Sequence, residues 1–458
     1  MKVGFISLGC SKNLIDTEIT IGLFQKHGYQ IINKAEEADI LVVNTCGFIE
    51  SAKEEAINTI LEMAEYKKKN CQKLIVMGCL VERYQQELSK AIPEVDLFIR
   101  IKEYDSLWEQ IENCIKGQKQ QIEIKPKTVS ALPQNVYTME PMPLFPEEEY
   151  KGRVITTGAN YAYLKIGEGC SNRCTYCAIP GIRGPFVSRK MEDILAEAQN
   201  ISNTGISEII VIAQDTTKYG IDLYGKPMLA ELLEKLSKIE TIKWIRFLYS
   251  YPETITEELI QLVKQNKKIC SYFDIPIQHI SNRVLKRMNR QSDGESIRKT
   301  IQHIRKEIPD VILRTTVMVG FPGETEEDFK ELYQFLQEAK FDKLGAFTYS
   351  KEENTPASRM KEQIHPMTKK SRYRKLMELQ QKIAEEKVQE KIGRTVEVLV
   401  EGMTQDKKYV IGRTYMDVPE IDGVIYVENP TKEDEQRKWI TCQITQAKGY
   451  DMIGKKVE

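Results

Sequence analysis

The chain has 458 residues, of which 41% are hydrophobic and 29% are charged, and its formal net charge at pH 7 is −1. This length supports two or three domains with cores of their own, and the composition is that of an ordinary globular protein. The sequence excludes an apolar run long enough to span a bilayer and a global basic field for nucleic acid. Residues 1–8 enter a strand-like run without a cleavable signal pattern, so we expect a cytoplasmic protein.

Residues 1–120 alternate short apolar strands with amphipathic helical stretches. Strands are predicted at residues 3–8, 40–44 and 74–77, and residues 51–66 are a representative helix. Because strands and helices alternate, this region predicts a parallel, doubly wound α/β sheet.

One cysteine follows each of these three strands, namely Cys10, Cys46 and Cys79, and a glycine flanks each of them. The carboxyl ends of parallel strands converge on one crevice, where ligands bind. The sequence therefore predicts a shared metal site; the alternative is three unrelated buried cysteines, which are common in cores. Four other cysteines have no partner by this criterion and are predicted to be structural: Cys71, Cys114, Cys270 and Cys442.

A proline-rich stretch at residues 121–155 interrupts the pattern and predicts a linker. From 156 to 390 strand and helix alternate six times, with strands expected at residues 162–166, 208–212, 244–249, 272–277, 312–318 and 344–349. Six right-handed βα units favour an incomplete, TIM-like (βα)6 barrel, whose chemistry belongs at the carboxyl ends of its strands. Capping boxes are predicted at the start of two of its helices, formed by Thr254 with Glu257 and by Thr325 with Asp328.

Cys170, Cys174 and Cys177 follow the first barrel strand with the spacing C-x3-C-x2-C. With ten cysteines in the chain, such a triple arises by chance only roughly 0.004 times. Three thiolates on one loop suffice for three irons of a cubane cluster and leave the fourth iron open to a substrate, unlike the closed clusters of ferredoxins. The alternative is a zinc knuckle that borrows a distant fourth ligand.

The last helix, predicted at residues 369–391, is basic: eight Lys or Arg and four Glu lie between Pro366 and Lys391. Such a run is most often a solvated helix face. After Gly393 the apolar period switches to two, which predicts a small, OB-like β-barrel over residues 391–458.

These features resemble the radical S-adenosylmethionine (SAM) methylthiotransferases, whose members combine a three-cysteine cluster domain, a radical SAM barrel and a TRAM β-barrel. Segments 7–14, 177–184 and 418–423 match the branch that modifies a small-subunit ribosomal protein. The tRNA-modifying members typically carry Gln-Met-Asn after the first cysteine, and this chain does not. Ser11 and Val418 depart from the family's usual Pro and Ala, but neither is an expected ligand.

The resemblance implies two [4Fe-4S] clusters that face one cavity, one on Cys10, Cys46 and Cys79 and the other on Cys170, Cys174 and Cys177. It further implies that two SAM molecules per turnover, an external reductant and a sulfur donor put a methylthio group on the β-carbon of an aspartate. No acid–base pair is expected to be catalytic, since the cofactors perform the hard step.

Seven residues are candidates for SAM contacts because they adjoin the cluster loop or end barrel strands: Tyr176, Gln214, Asp215, Gln278, Gly320, Gly323 and Glu324. Residues 320–324 could equally be a simple turn into the Thr325 cap. Tyr176 could equally pack its own loop.

The C-terminal barrel offers a check on the substrate, since it holds 11 Lys or Arg against 12 Asp or Glu from Lys391 onward. A domain that binds tRNA phosphates should be basic, and this one is not. Direct RNA binding is therefore disfavoured, and a basic ribosomal protein is the expected partner. Alternatively the barrel is only a structural cap. The rival functions are a tRNA methylthiotransferase and a non-catalytic iron–sulfur electron carrier.

Overall fold

The computed structural model describes residues 1–118, 142, 144–431, 433–434 and 437–457. Residues 121–141 and 143 of the predicted linker lie outside this part of the chain. Its last residues are described and include a short helix, Glu147–Lys151, whose Tyr150 is buried.

The N-terminal region is a five-stranded, fully parallel sheet in the order β2-β1-β3-β4-β5. Its strands are β1 Lys2–Ser7, β2 Gln30–Ile32, β3 Ile40–Thr45, β4 Lys73–Gly78 and β5 Leu97–Ile99. The helices are α1 Ser11–Lys26, α2 Glu50–Ala64, α3 Cys79–Ala91 and α4 Leu107–Ile115. Helices α1 and α4 cover one face and α2 and α3 the other, so the doubly wound prediction is confirmed. The two three-residue strands, β2 and β5, are too short to show a period in the sequence.

The central region is an arc of six parallel strands wrapped by helices. In chain order the strands of the arc are β6 Tyr161–Lys165, β9 Glu208–Ile212, β10 Trp244–Phe247, β11 Tyr272–Gln278, β12 Ile312–Val319 and β13 Lys343–Thr348. Two short strands, β7 Gly167–Glu168 and β8 Val187–Ser188, form a separate antiparallel pair. The helices from the linker onward are α5 Glu147–Lys151, α6 Ile179–Arg183, α7 Met191–Asn203, α8 Ile221–Tyr224, α9 Leu229–Ser237, α10 Glu257–Gln265, α11 Asn282–Arg287, α12 Gly294–Glu307, α13 Glu326–Ala339 and α14 Pro366–Gln389.

The arc consists of two three-stranded sheets, β10-β9-β6 and β11-β12-β13. A bridge between Ile245 and Ile269 joins β10 to the chain that leads into β11. The incomplete six-unit barrel is thus confirmed. One predicted cap is wrong: helix α10 is capped by Thr256, whose side chain accepts from the Leu259 N–H, and not by Thr254. The Thr325 capping box is confirmed.

Alternate residues of the barrel strands face two different cores, as the pleat of a strand requires. Ala162 and Leu164 pack beneath the helices, whereas Tyr161, Tyr163 and Tyr272 point inward. The inward residues share a hydrophobic cluster with the C-terminal region.

The C-terminal region is a closed barrel in the order β14-β15-β16-β18-β17. Its strands are β14 Thr395–Met403, β15 Tyr409–Arg413, β16 Ile425–Glu428, β17 Trp439–Lys448 and β18 Asp451–Lys456. The predicted small β-barrel is therefore confirmed. Its Arg413 donates to Glu208 at 2.7 Å, and its Asp422 accepts from the Tyr272 hydroxyl at 2.8 Å. Since Glu208 and Tyr272 begin their strands, this domain covers the amino end of the central barrel and leaves the carboxyl end for chemistry.

No helix within the described residues is long and apolar enough to cross a membrane.

Candidate functional site

The three strand-end cysteines of the N-terminal sheet come together, as their positions predict. A side chain on Gly9 would lie 2.8 Å from the Cβ of Cys46, and one on Gly47 would lie 2.9 Å from the Cys79 backbone. The loops therefore touch, and only glycine fits between them. Burial raises the pKa of the Cys79 thiol to about 12; the nearby Arg183 opposes this shift, and Cys10 and Cys46 add to it.

The second triad lies on the loop between β7 and α6, at the carboxyl end of β6. The Cys170 N–H donates to Gly184 O at 3.0 Å, and the Cys177 N–H donates to Cys174 O at 3.1 Å, so the loop curls around its own sulfur atoms. Burial raises the pKa of the Cys170 thiol to about 11, and the Cys177 pKa rises through burial and the neighbouring Cys174 and Cys170. All six cysteines are free thiols.

Within the described ranges, no three His, Cys, Asp or Glu side chains lie close enough to share a single metal ion. The thiolates of a cubane each bind a different iron and so stand further apart than the ligands of one ion. Cysteine thiolates are the donor type that iron–sulfur clusters use.

A buried ionic network joins the two triads across the interface of sheet and barrel. Arg183, at the end of α6, donates through Nη2 to Asp16 Oδ2 at 2.9 Å and through Nη1 to Glu168 Oε2 at 2.9 Å. Lys165 Nζ contacts the same two carboxylates at 2.7 and 3.0 Å. Glu168 lies two residues before Cys170. Burial alone would raise its pKa, but the charges of Arg183 and Lys165 outweigh burial and hold the pKa of Glu168 well below the usual range, so this carboxylate stays ionised.

Arg183 reaches the first triad as well. Its Nη2 lies 2.7 Å from Asn13 Oδ1 and 3.6 Å from the Cys79 sulfur. Asn13 in turn donates to Leu8 O and Thr45 O at 3.0 Å, which ties the loops after β1 and β3 together. One side chain of the barrel thus contacts a cysteine of the sheet.

A second set of contacts closes the opposite side of the interface. Arg83 on α3 donates to Gly47 O at 2.7 Å and pairs with Glu352, in the loop after β13, at 3.4 Å. Lys53 pairs with the same carboxylate at 3.2 Å. Both edges of the open barrel arc therefore contact the N-terminal sheet, which faces the barrel mouth.

Tyr176, Gln214 and Asp215 lie on the loops that surround the second triad. The Tyr176 ring packs edge-on against Phe321 at 6.5 Å. Gln214 donates to Glu168 Oε1 at 2.8 Å, while its own Oε1 is buried with no partner among the described residues. Asp215 accepts from Asn172 at 2.7 Å and Thr217 at 2.6 Å, and burial raises its pKa.

The remaining SAM candidates lie at the ends of β11 and β12. Gln278 closes β11 with a φ of +68°, a strained backbone that is uncommon outside glycine. Gly320 and Gly323 have φ of +72° and +83°. Glu324 turns back on its own loop, since Oε2 accepts from the Gly320 N–H at 2.7 Å and Oε1 from Arg372 at 2.6 Å. These contacts support the reading of residues 320–324 as a turn.

The sequence predicts no site role for several polar residues that the fold places near the triads. Arg290 approaches the Cys174 sulfur at 4.0 Å and stacks on Tyr251 at 4.2 Å, and its Nε is buried without a partner among the described residues. Asn13, Asp16 and Arg183 belong to the interface network. Single polar residues produce no periodic pattern in a sequence, so only the folded structure shows that these side chains lie near the triads.

Comparison with known proteins matches this layout region by region. The family models that match are Radical SAM superfamily over residues 164–336, Uncharacterized protein family UPF0004 over residues 2–100 and TRAM domain over residues 392–457. Among solved structures, the radical SAM methyltransferase TsrM from Kitasatospora setae is 12% identical with a TM-score of 0.55, covering 78% of this chain and 76% of that chain. This likeness shows the fold alone.

Curated relatives match along the whole length. The ribosomal protein uS12 methylthiotransferase RimO of Alkaliphilus oremlandii is 60% identical over 99% of this chain and 98% of that protein. The RimO proteins of Clostridioides difficile and Acetivibrio thermocellus are 51% and 48% identical, over 99% and 100% of this chain and 98% of each protein. The chain therefore belongs to the RimO family of radical SAM methylthiotransferases.

Proposed function

We propose that this protein transfers a methylthio group to the β-carbon of an aspartate in the small-subunit ribosomal protein uS12. One observation carries the proposal: two cysteine triads on different folding units face one interface, bridged by Arg183. Such an arrangement suits a reaction that needs two reactive centres beside one acceptor. The relatives that match this chain along its whole length are named as uS12 methylthiotransferases, which supports the same acceptor.

Cys170, Cys174 and Cys177 would hold one [4Fe-4S] cluster and Cys10, Cys46 and Cys79 a second. The buried, unpartnered Gln214 Oε1 and Arg290 Nε beside the barrel triad offer an acceptor and a donor, respectively, for a polar ligand such as SAM, so the residues fit these groups. When bound, the clusters and SAM would supply the radical chemistry and the methylthio group.

The chain itself orients the reactants. The barrel wall and the N-terminal sheet flank the triads on two sides, and the C-terminal barrel covers the opposite end. Cys79, Cys170 and Cys174 are buried, whereas Cys10 is exposed. Exclusion of water protects a reactive intermediate from side reactions. The protein groups therefore act by position, without a dedicated acid–base pair.

The domain boundaries that we propose are 1–120, 156–390 and 391–458, with a linker at 121–155. An external reductant and a sulfur donor complete the reaction, which belongs in the cytoplasm, where ribosomal proteins are assembled. Direct RNA binding by the C-terminal barrel is disfavoured by its balanced charge.

The test is anaerobic incubation of the reconstituted enzyme with SAM, dithionite and a peptide from the aspartate-bearing loop of uS12, followed by mass spectrometry. We expect one added methylthio group, lost in both Cys10→Ala and Cys170→Ala. Each variant should also lose about half of the bound iron, since each cluster is held by its own triad. The matched control, Cys442→Ala, removes a buried thiol far from either triad and should keep both iron and activity.

Deoxyadenosine without a modified peptide would reject uS12 as the acceptor, and tRNA would be tested next. A wild-type enzyme that holds both clusters yet releases no deoxyadenosine would reject the enzymatic function itself.

A further inference from the structure

Lys12 is a largely buried residue whose ammonium has no anionic partner within the described part of the chain. It lies on the first turn of α1, two residues after Cys10, and the residue is only 7% exposed. Within the described residues its ammonium has no carboxylate and no hydrogen-bond acceptor as a partner. An isolated buried charge is expensive, and buried charges in proteins are paired or bind ligands.

The neighbouring buried cations do have partners. Lys165 and Arg183 each contact both Asp16 and Glu168. Lys12 is not drawn into this network, although Asp16 lies one turn further along the same helix. The first turn of α1 holds no acidic residue, and its N-terminal end has no side-chain cap. Positive charge is therefore left uncompensated at this point of the interface.

The Lys12 ammonium points into the mouth of the barrel. It lies 3.4 Å from the ring centroid of Tyr249, which follows β10 at its carboxyl end. Tyr249 has a φ of +63°, and its carbonyl accepts from the Thr216 N–H at 3.2 Å, beside the loop of Gln214 and Asp215. A cation–π contact orients a lysine without neutralising it. The ammonium thus stands between Cys10 and the loops around the second triad, with its donors still available.

We propose that Lys12 binds the side-chain carboxylate of the acceptor aspartate, an inference that rests on the proposed function. In an aspartate the carboxylate is bonded directly to the β-carbon. A charge-assisted hydrogen bond to the carboxylate therefore fixes the reacting carbon beside the cavity between the triads. A lysine supplies three donors and no acceptor, which matches an anionic group and not the neutral amide of asparagine.

The test measures equilibrium binding of two fluorescent uS12 loop peptides to the cluster-loaded enzyme by anisotropy, one with the acceptor aspartate and one with asparagine in its place. The variants are Lys12→Met, which keeps the length without the charge, and Lys12→Arg, which keeps the charge. Lys26→Met is the matched control, since Lys26 lies on the same helix with an exposed side chain. SAM affinity and iron content are measured on every variant.

The wild type should bind the aspartate peptide about 10- to 100-fold tighter than the asparagine peptide, the range of a hydrogen bond between charged groups. Lys12→Met should bind both peptides with the weaker affinity, Lys12→Arg should restore part of the preference, and Lys26→Met should match the wild type. SAM affinity and iron content should stay unchanged.

A preference for aspartate that persists in Lys12→Met would overturn the proposal. So would a loss of SAM affinity with the peptide preference intact, because Lys12 would then serve the methionyl carboxylate of SAM. If the wild type neither binds nor modifies either uS12 or its peptide, the proposed function fails and this inference fails with it. If the wild type modifies uS12 and Lys12→Met keeps the wild-type preference between the two peptides, only this inference fails.

Discussion

Nη2 of Arg183 lies 3.6 Å from the sulfur of Cys79, although 104 residues separate them in the chain. The same guanidinium contacts Glu168, which leads into the second cysteine triad. A planar group with five donors can serve several acceptors at once, which a lysine ammonium cannot do with the same geometry. Arg183 is therefore the point at which the two triads are fixed relative to each other.

Arg183→Met should destabilise the interface. It leaves Asp16 and Glu168 with Lys165 as their remaining cation, and loss of one partner from a buried ion pair costs about 3–5 kcal/mol. We expect a lower midpoint of thermal unfolding and less iron after reconstitution. Arg183→Lys should fall between this variant and the wild type. Arg374→Met removes an exposed pair with Glu378 and should change neither quantity; equal behaviour of the two Met variants would contradict the bridging role.

Gly169→Ala should disrupt the barrel triad. Gly169 has a φ of +75°, and a Cβ there would lie 2.1 Å from Pro185 O, so the loop before Cys170 must move. We expect the loss of about half of the bound iron, since one of two clusters is affected. Gly205→Ala is the control: Gly205 has a φ of +92° and no atom within 4 Å of the added methyl. It should lose only about 1–2 kcal/mol of stability and keep its iron.

His279→Asn should make the barrel less sensitive to acid. Burial lowers the pKa of His279 from 6.5 to about 3. Between these two pH values the histidine is therefore protonated in the unfolded chain and neutral in the folded protein. The free energy of unfolding is therefore unaffected by this histidine above pH 6.5. As the pH falls towards 3, the histidine lowers it by about 1.4 kcal/mol per pH unit. Asparagine can still accept the Ser281 N–H, as His279 Nδ1 does at 3.0 Å.

Urea unfolding at pH 7.0 and 5.5 checks this prediction. The wild type should lose about 1 kcal/mol more than His279→Asn between the two values. Burial raises the pKa of Glu324, 3.9 Å away, to about 7, which acts in the opposite sense and is common to both proteins. The difference between them therefore isolates the histidine, and identical pH dependence would refute the assignment.

Arg413→Met should loosen the contact between the C-terminal barrel and the central barrel. Arg413 and Arg246 share the fully buried carboxylate of Glu208, at 2.7 and 2.5 Å. Removal of Arg413 leaves the buried Glu208 carboxylate with only one cationic partner, which should lower the free energy of unfolding by about 3–5 kcal/mol. Limited proteolysis should then cut near residue 391 faster than in the wild type. Lys408→Met, on an exposed pair, should leave the cleavage rate unchanged.

The elements themselves could be read from the sequence because local periodicity encodes them. The predicted strand 208–212 coincides with β9, and the other predicted strands lie within two residues of their observed ends. The three cysteines after β1, β3 and β4 were predicted to converge, since parallel strands end on one edge. The Thr254 cap was wrong because Thr256 has the same chemistry two residues closer to the helix, and Thr254 itself ends a short turn, Pro252–Thr254.

The sequence by itself therefore determined the strand and helix pattern, the two cysteine triads and the family resemblance, all of which depend on short-range spacing. Only the tertiary structure decided which groups lie between the triads. Asp16, Lys165 and Arg183 are single polar residues on three elements; Arg183 lies in one of the segments that carry the resemblance, but no period or spacing in the sequence indicates that the three are in contact. Lys12 stands out only once its burial and its missing counter-ion are seen. Burial makes a charge significant, and burial is a property of the packed chain.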